Sequence, residues 1–175
     1  MTATPDPLPP AADLAAANLQ ALHGFLPQAQ SRAFGDFIRY VISIHPADRL
    51  PGREAFDPIR IPALLPGIVL VQVDRSSGAA RFLTKVAGEN VLIACPAPML
   101  RRYIDEVVAD IPGADSALQR RQAVLDCGHS VMYQGRPLIN HAVKMMALEY
   151  CHCPLASDGA TIDYILSYFQ YTADT

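Results

Sequence analysis

The chain has 175 residues, the length of one domain, with 51% hydrophobic and 18% charged residues and a mean hydropathy of +0.16. Those proportions exclude an intrinsically disordered chain, which is poor in apolar residues and rich in charge. With 14 Lys and Arg against 17 Asp and Glu, the net charge of −3 supplies no global attraction to nucleic acid or anionic lipid.

Residues 1–10, MTATPDPLPP, are Pro-rich and carry neither the basic run nor the apolar core of a secretory leader. They read as a disordered tail on a cytoplasmic protein, whose four cysteines are then reduced thiols. Asp13 is placed to cap a helix over 14–24 that stops at Gly24, with Pro27 just beyond. This stretch is too short and too polar to span a bilayer. A second helix is predicted over 28–45, because Ala33, Phe34, Phe37, Ile38, Val41 and Ile44 recur at spacings of three and four. His45-Pro46 ends it. Residues 11–45 thus form helices ahead of a domain over 46–173.

Prolines at 46, 51, 58, 62 and 66 exclude long regular elements from the next stretch. It reads as an ordered connector with a helical turn near 58–65, since Phe56, Ile59, Ile61, Leu64 and Leu65 are available for burial. Ile68–Val73 and Ala80–Ala87 flank the turn Asp74-Arg75-Ser76-Ser77-Gly78 and make a β-hairpin. A short helix over 89–94 follows, then one over 99–108 with Leu100, Tyr103, Ile104 and Val107 on one face. The next, over 116–127, turns Leu118, Val124 and Leu125 inward and Arg120 and Arg121 outward, with Gly128 as its stop. Strands are predicted at 131–134, 140–153 and 161–171, the last two joined at Ser157-Asp158-Gly159. This order predicts an α+β protein with a five-stranded antiparallel sheet.

The last two strands are apolar on both faces. Val143, Met145 and Ala147 oppose Met146, Leu148 and Tyr150, and Ile162, Tyr164, Leu166 and Tyr168 oppose Ile165, Phe169 and Tyr171. A sheet wet on one side alternates apolar with polar. Both faces are therefore covered, one by the short middle helices and the other by the helix at 28–45 or a second subunit.

The run Leu50-Pro51-Gly52-Arg53-Glu54-Ala55-Phe56-Asp57-Pro58, followed by Ile61-Pro62-Ala63-Leu64-Leu65-Pro66, resembles the LPxRxxFDP…IPxLLP entry segment of a bacterial PAS-like family. Val86-Ala87-Gly88, Ile104-Asp105-Glu106 and Pro154-Leu155 are similar to later parts of the same family, and the resemblance spans about residues 35–170. It implies a PAS-like five-stranded antiparallel sheet with short helices on one face and the N-terminal amphipathic helix on or near the other. The implied function is a stand-alone, non-enzymatic sensory or regulatory module that binds a small ligand or a protein partner. The chain departs from the family at Cys95-Pro96-Ala97-Pro98-Met99-Leu100-Arg101-Arg102, where members carry glycines beside the pocket.

Met99, Tyr103, Met132, Met145 and Tyr164 are placed to line an apolar cavity between sheet and helices, and serve equally well as core. Cys127, His129, Cys151 and Cys153 are residue types that hold zinc. On a strand Cys151 and Cys153 project to one face and His152 to the other, and C-x-C lacks the chelating turn of C-x₂-C. The alternative is two buried thiols and a histidine at the rim. His129 and His141 are of the type that ligates haem iron. Cys95, between Ala94 and Pro96, lacks the Asn-Cys-Arg-Phe context of flavin photochemistry.

The chain has no G-x-S-x-G, H-E-x-x-H or P-loop. Asp105 and Glu106, adjacent on a helix, point about 100° apart and read as a solvated face; Arg101-Arg102 and Arg120-Arg121 are two small basic spots that read the same way, with contact to an anionic ligand as the alternative. The expectation is a ligand-binding sensor with no predicted cofactor. Two alternatives are a scaffold of the same fold with a filled core and a zinc or haem sensor. The expected partner is a second copy, a homodimer through the N-terminal helix or the outer sheet face, with no nucleic acid and no membrane.

Overall fold

Alternating apolar strands and two amphipathic helical regions build one sheet with helices on both sides. The structure, a computed structural model, describes residues 9–137 and 145–173; for Met145, Met146 and Ala173 it describes the backbone alone. Residues 1–8 of the predicted tail and His141 lie outside the described residues. The elements are α1 (Ala11–Phe25), α2 (Arg32–Ser43), β1 (Ile68–Asp74), β2 (Arg81–Ala87), α3 (Glu89–Ala94), α4 (Ile104–Ala109), α5 (Asp115–Cys127), β3 (Val131–Gly135), β4 (Met145–Leu155) and β5 (Tyr164–Ala173). The strands lie in the order β2-β1-β5-β4-β3, every neighbouring pair antiparallel. The protein is therefore α+β, as its element order predicts.

Each face of the sheet buries its own core. On the front, Val69, Val71, Phe82 and Ile165 meet Val91, Met99, Ile104, Val107, Ile111 and Val124 of the middle segment. On the back, Ile68, Leu70, Cys151, Leu155, Leu166 and Tyr168 meet Phe34, Phe37, Ile38 and Val41 of α2, with Leu22 of α1 and Phe56, Ile61 and Leu64 of the connector. Phe37 stacks on Tyr168 with ring centroids 5.2 Å apart, and Phe34 approaches the same ring at 6.4 Å. Aromatic side chains each bury roughly 150–250 Å², so α2 seals this face within a single chain. The back of the sheet is thus covered within one chain, by α2 and the connector.

The helix ends differ from the sequence expectation for local reasons. α1 runs through Gly24 to Phe25, and Asp13 sits in its first turn while Pro10 occupies the cap. α2 begins at Arg32 rather than 28, because Leu26–Gln28 winds as a 3-10 turn around Pro27 and the Ser31 hydroxyl caps the helix by accepting from Phe34 N at 3.2 Å. The predicted helix over 99–108 is broken at Arg101, whose φ is 61°. There Arg101 N donates to Thr84 O and Thr84 N donates to Arg102 O, both at 3.0 Å. This pairing holds the segment against β2 and leaves Leu100 exposed. β5 starts at Tyr164 rather than 161, because Asp158 Oδ1 accepts from Ala160 N and Thr161 N and prolongs the turn. Gly128, at φ 73°, ends α5 as expected. Three 3-10 turns carry the connector between Arg53 and Gly67. Among the described residues no helix is long and apolar enough to cross a membrane.

Candidate functional site

A cavity of about 100 Å³ lies between the front of the sheet and the middle helices. Its floor comes from alternate residues of two neighbouring strands, Leu148, Tyr150 and His152 on β4 and Phe169 and Tyr171 on β5. Its roof comes from Val91 and Cys95 at α3, Met99 in the loop, Ile104 and Val107 on α4, Ile111 beyond it, and Ala117 and Arg121 on α5. Most of these groups are aliphatic or aromatic.

Two polar groups are embedded in this apolar wall. His152 is 1% exposed, and its Nδ1 lies 2.7 Å from Ser167 Oγ. Tyr150 and Phe169 flank its ring at 4.8 and 5.7 Å. Burial first, then the charges of Arg121 and Arg120, hold its pKa well below the usual histidine value, so the ring is neutral near pH 7. Arg121 is 4% exposed. Its Nη1 donates to Ala117 O at 2.8 Å, and its Nε has no hydrogen-bond partner. Burial pulls its pKa down to about 10, which still leaves it charged at neutral pH. Burial likewise pushes Tyr150 up to about 12 and raises Tyr171. Arg120, the next residue, lies outside the cavity over the rings of Tyr133 and Tyr150.

Of the five residues predicted to line a cavity, Met99 does so. Tyr103 is held elsewhere: its hydroxyl donates to Asp74 Oδ2 at 2.5 Å and the Arg81 guanidinium lies 3.7 Å over its ring. Met132 and Tyr164 pack against the back core, across the sheet. The side chain of Met145 is outside the described residues. Asp105 and Glu106 both accept from Arg81 Nη2, at 2.8 and 2.9 Å, rather than facing water alone.

Two expectations are corrected here. His152 is inside the protein, not at a rim, because β4 is a central strand under the helices. Arg121 points inward, not outward: it is three residues from both Leu118 and Val124 and shares their stripe. That spacing is the signal in the sequence that marks it. Likewise, His152 continues the Leu148–Tyr150 alternation by one more step.

The sheet divides the proposed zinc set. Cys151 and Cys153 lie on the back, fully buried, with sulfurs 3.5 Å apart. Cys127 is exposed at the end of α5, where its thiol donates to His129 O at 3.4 Å. His129 Nδ1 is 2.9 Å from Ser130 O. Among the described residues no three His, Cys, Asp or Glu side chains converge as metal ligands. Ser167 beside His152 is fully buried and does not line the cavity, so this Ser–His pair is not offered to a substrate.

No protein-family model matches the chain, and comparison with curated proteins gives no match.

Proposed function

We propose that the chain is a PAS-like, non-enzymatic sensory or regulatory module that takes a small ligand between its sheet and its middle helices. One observation carries this reading: an antiparallel sheet in the order β2-β1-β5-β4-β3, roofed by short helices over a cavity of about 100 Å³ with buried polar groups in its wall. A concave, mostly apolar pocket with few polar groups is the usual form of a small-molecule site.

A route for a signal is also present. α5, which supplies Arg121, ends just before Ser130. Asn18 on α1 accepts from both Ser130 N and Ser130 Oγ at 2.7 Å, and its amide lies 3.0 Å from His45 Nε2 beyond α2. A ligand that shifts α5 thus acts on the two N-terminal helices through one buried hydrogen-bonded cluster. With α2 packed on the sheet's back, the outer sides of the N-terminal helices are the contact surface for the expected homodimer.

Native mass spectrometry of freshly purified protein tests the reading. A retained small molecule, lost when Ala117→Trp fills the cavity, is the expected result. Bare protein, together with a melting temperature that no small molecule raises, refutes it in favour of a scaffold with a filled core. The same spectrum gives the number of subunits.

A further inference from the structure

A guanidinium ion costs several kcal/mol to remove from water and is normally buried only against a carboxylate or phosphate. Arg121 lacks that partner. No salt bridge reaches it among the described residues, and its Nη1 bonds to a neutral carbonyl of its own helix. Its Nε is buried and unpaired, and Arg121 is one of the residues that line the cavity. Arginine offers five N–H donors in a planar fork that matches a carboxylate. The protein itself therefore supplies one half of an ion pair, in the lining of the cavity between the sheet and the middle helices.

We propose that the cavity binds a small monocarboxylate with a compact apolar body, its carboxylate paired with Arg121 and its hydrocarbon against Met99, Val107 and Leu148. This deepens the ligand-binding reading above and rests on it. The charge count points to a single negative charge, because among the described residues Arg121 is the only cationic side chain in the lining. His152 is neutral there, so it offers no second positive charge. A phosphate dianion would be left half uncompensated among aliphatic groups. Size limits the body: an apolar cavity of about 150 Å³ holds benzene, so one of about 100 Å³ holds a short or branched aliphatic chain. A long-chain fatty acid does not fit within this volume.

The test is thermal unfolding of the full chain at fixed ionic strength, with sodium acetate, butyrate, isovalerate, hexanoate and decanoate, each beside its neutral amide. A carboxylate at ten times its Kd raises Tm by about 3–6 °C. The rise is expected for butyrate or isovalerate, and neither for their amides nor for decanoate. Arg121→Met is expected to abolish the response while leaving the empty protein at least as stable, since replacing a lone buried charge by a similar apolar volume removes a cost. In the wild-type protein one arginine Nε–Hε NMR resonance shifts on adding butyrate and not butyramide, so the question is answered even if the variant fails to fold. Equal responses to acid and amide, or an unchanged response in Arg121→Met, overturn the carboxylate proposal. If only the neutral compounds raise Tm, the ligand pocket stands and the carboxylate falls. If nothing raises it, both fall.

Discussion

Glu149, in the middle of β4, caps the start of α2 across the fold: its carboxylate accepts from Ser31 N at 3.1 Å and from Gln30 N at 2.7 Å. Gln134 Nε2 adds a third bond at 2.8 Å. The helix that seals the back of the sheet is thereby fastened to it by a buried anion at a helix N-terminus. Glu149→Ala leaves two backbone N–H groups unpaired and is expected to cost about 3 kcal/mol, read as a lower urea midpoint at unchanged m.

The Asn18 cluster is fastened in a similar way at the other end. Asn18 is fully buried and satisfies both polar groups of Ser130. Asn18→Leu is expected to lose about 2 kcal/mol, because a buried donor without a partner carries its full desolvation cost. The measured effect in the double variant with Ser130→Ala should fall short of the sum of the two single effects, since the partners share one interaction.

Two glycines give opposite signs for the same substitution. A Cβ on Gly88 would sit 2.2 Å from Leu65 O and 2.4 Å from Pro66 O, both backbone atoms that cannot step aside. Gly88→Ala is expected to destabilise by roughly 1–3 kcal/mol through overpacking. Gly24 lies inside α1 with nothing within 4 Å of the added atom. Gly24→Ala is expected to stabilise by roughly 0.5–1 kcal/mol by favouring the helix. Thermal melts of the pair check both signs.

Stability falls in mild acid. Burial lowers the pKa of His152 and of His45 in the folded protein, whereas in the unfolded chain they take up protons near the ordinary histidine value of about 6.5. Below that pH the unfolded state binds more protons than the folded one, so stability is full above about pH 6.5 and declines as pH drops. Each histidine contributes a slope of up to about 1.4 kcal/mol per pH unit. Asp74, lowered to about 2, adds its own loss only in stronger acid. Urea midpoints between about pH 8 and pH 5 should follow this course, and His152→Gln should flatten it.

Thiol reactivity follows burial. Under native conditions a disulfide-exchange reagent is expected to label the exposed Cys127 first and Cys95 more slowly, leaving Cys151 and Cys153 unreactive until the protein is unfolded. Burial raises the Cys151 pKa, which withholds the thiolate as well as access. Early labelling of all four would contradict the placement of β4 beneath α2.

The strands were legible because β-branched runs such as Ile68–Val73 and the two-faced apolar pattern of Tyr164–Tyr171 state their own period. Helix ends were less so. The start of α2 combines the local Ser31 cap with a bond to Glu149, more than a hundred residues away, which no local pattern encodes. The cavity was the least legible. Charge alone places Arg121 in water although its spacing puts it beside Leu118 and Val124, and helical spacing alone places Tyr103 inside because the break at Arg101 carries no glycine or proline to announce it. Charge and hydropathy mislead where a polar residue is buried for a purpose other than stability.

The exchange of hydrogen bonds between Thr84 and residues 101–102 has a bearing on behaviour at high concentration. A bare margin on a sheet is a template onto which another chain can crystallise its backbone. Here β2 already has a lodger at that margin, and the opposite one is the five-residue β3. Runaway strand-by-strand polymerisation is blocked at one end and offered only a short foothold at the other, so a variant that frees the 101–102 segment should be the one that turns solutions cloudy.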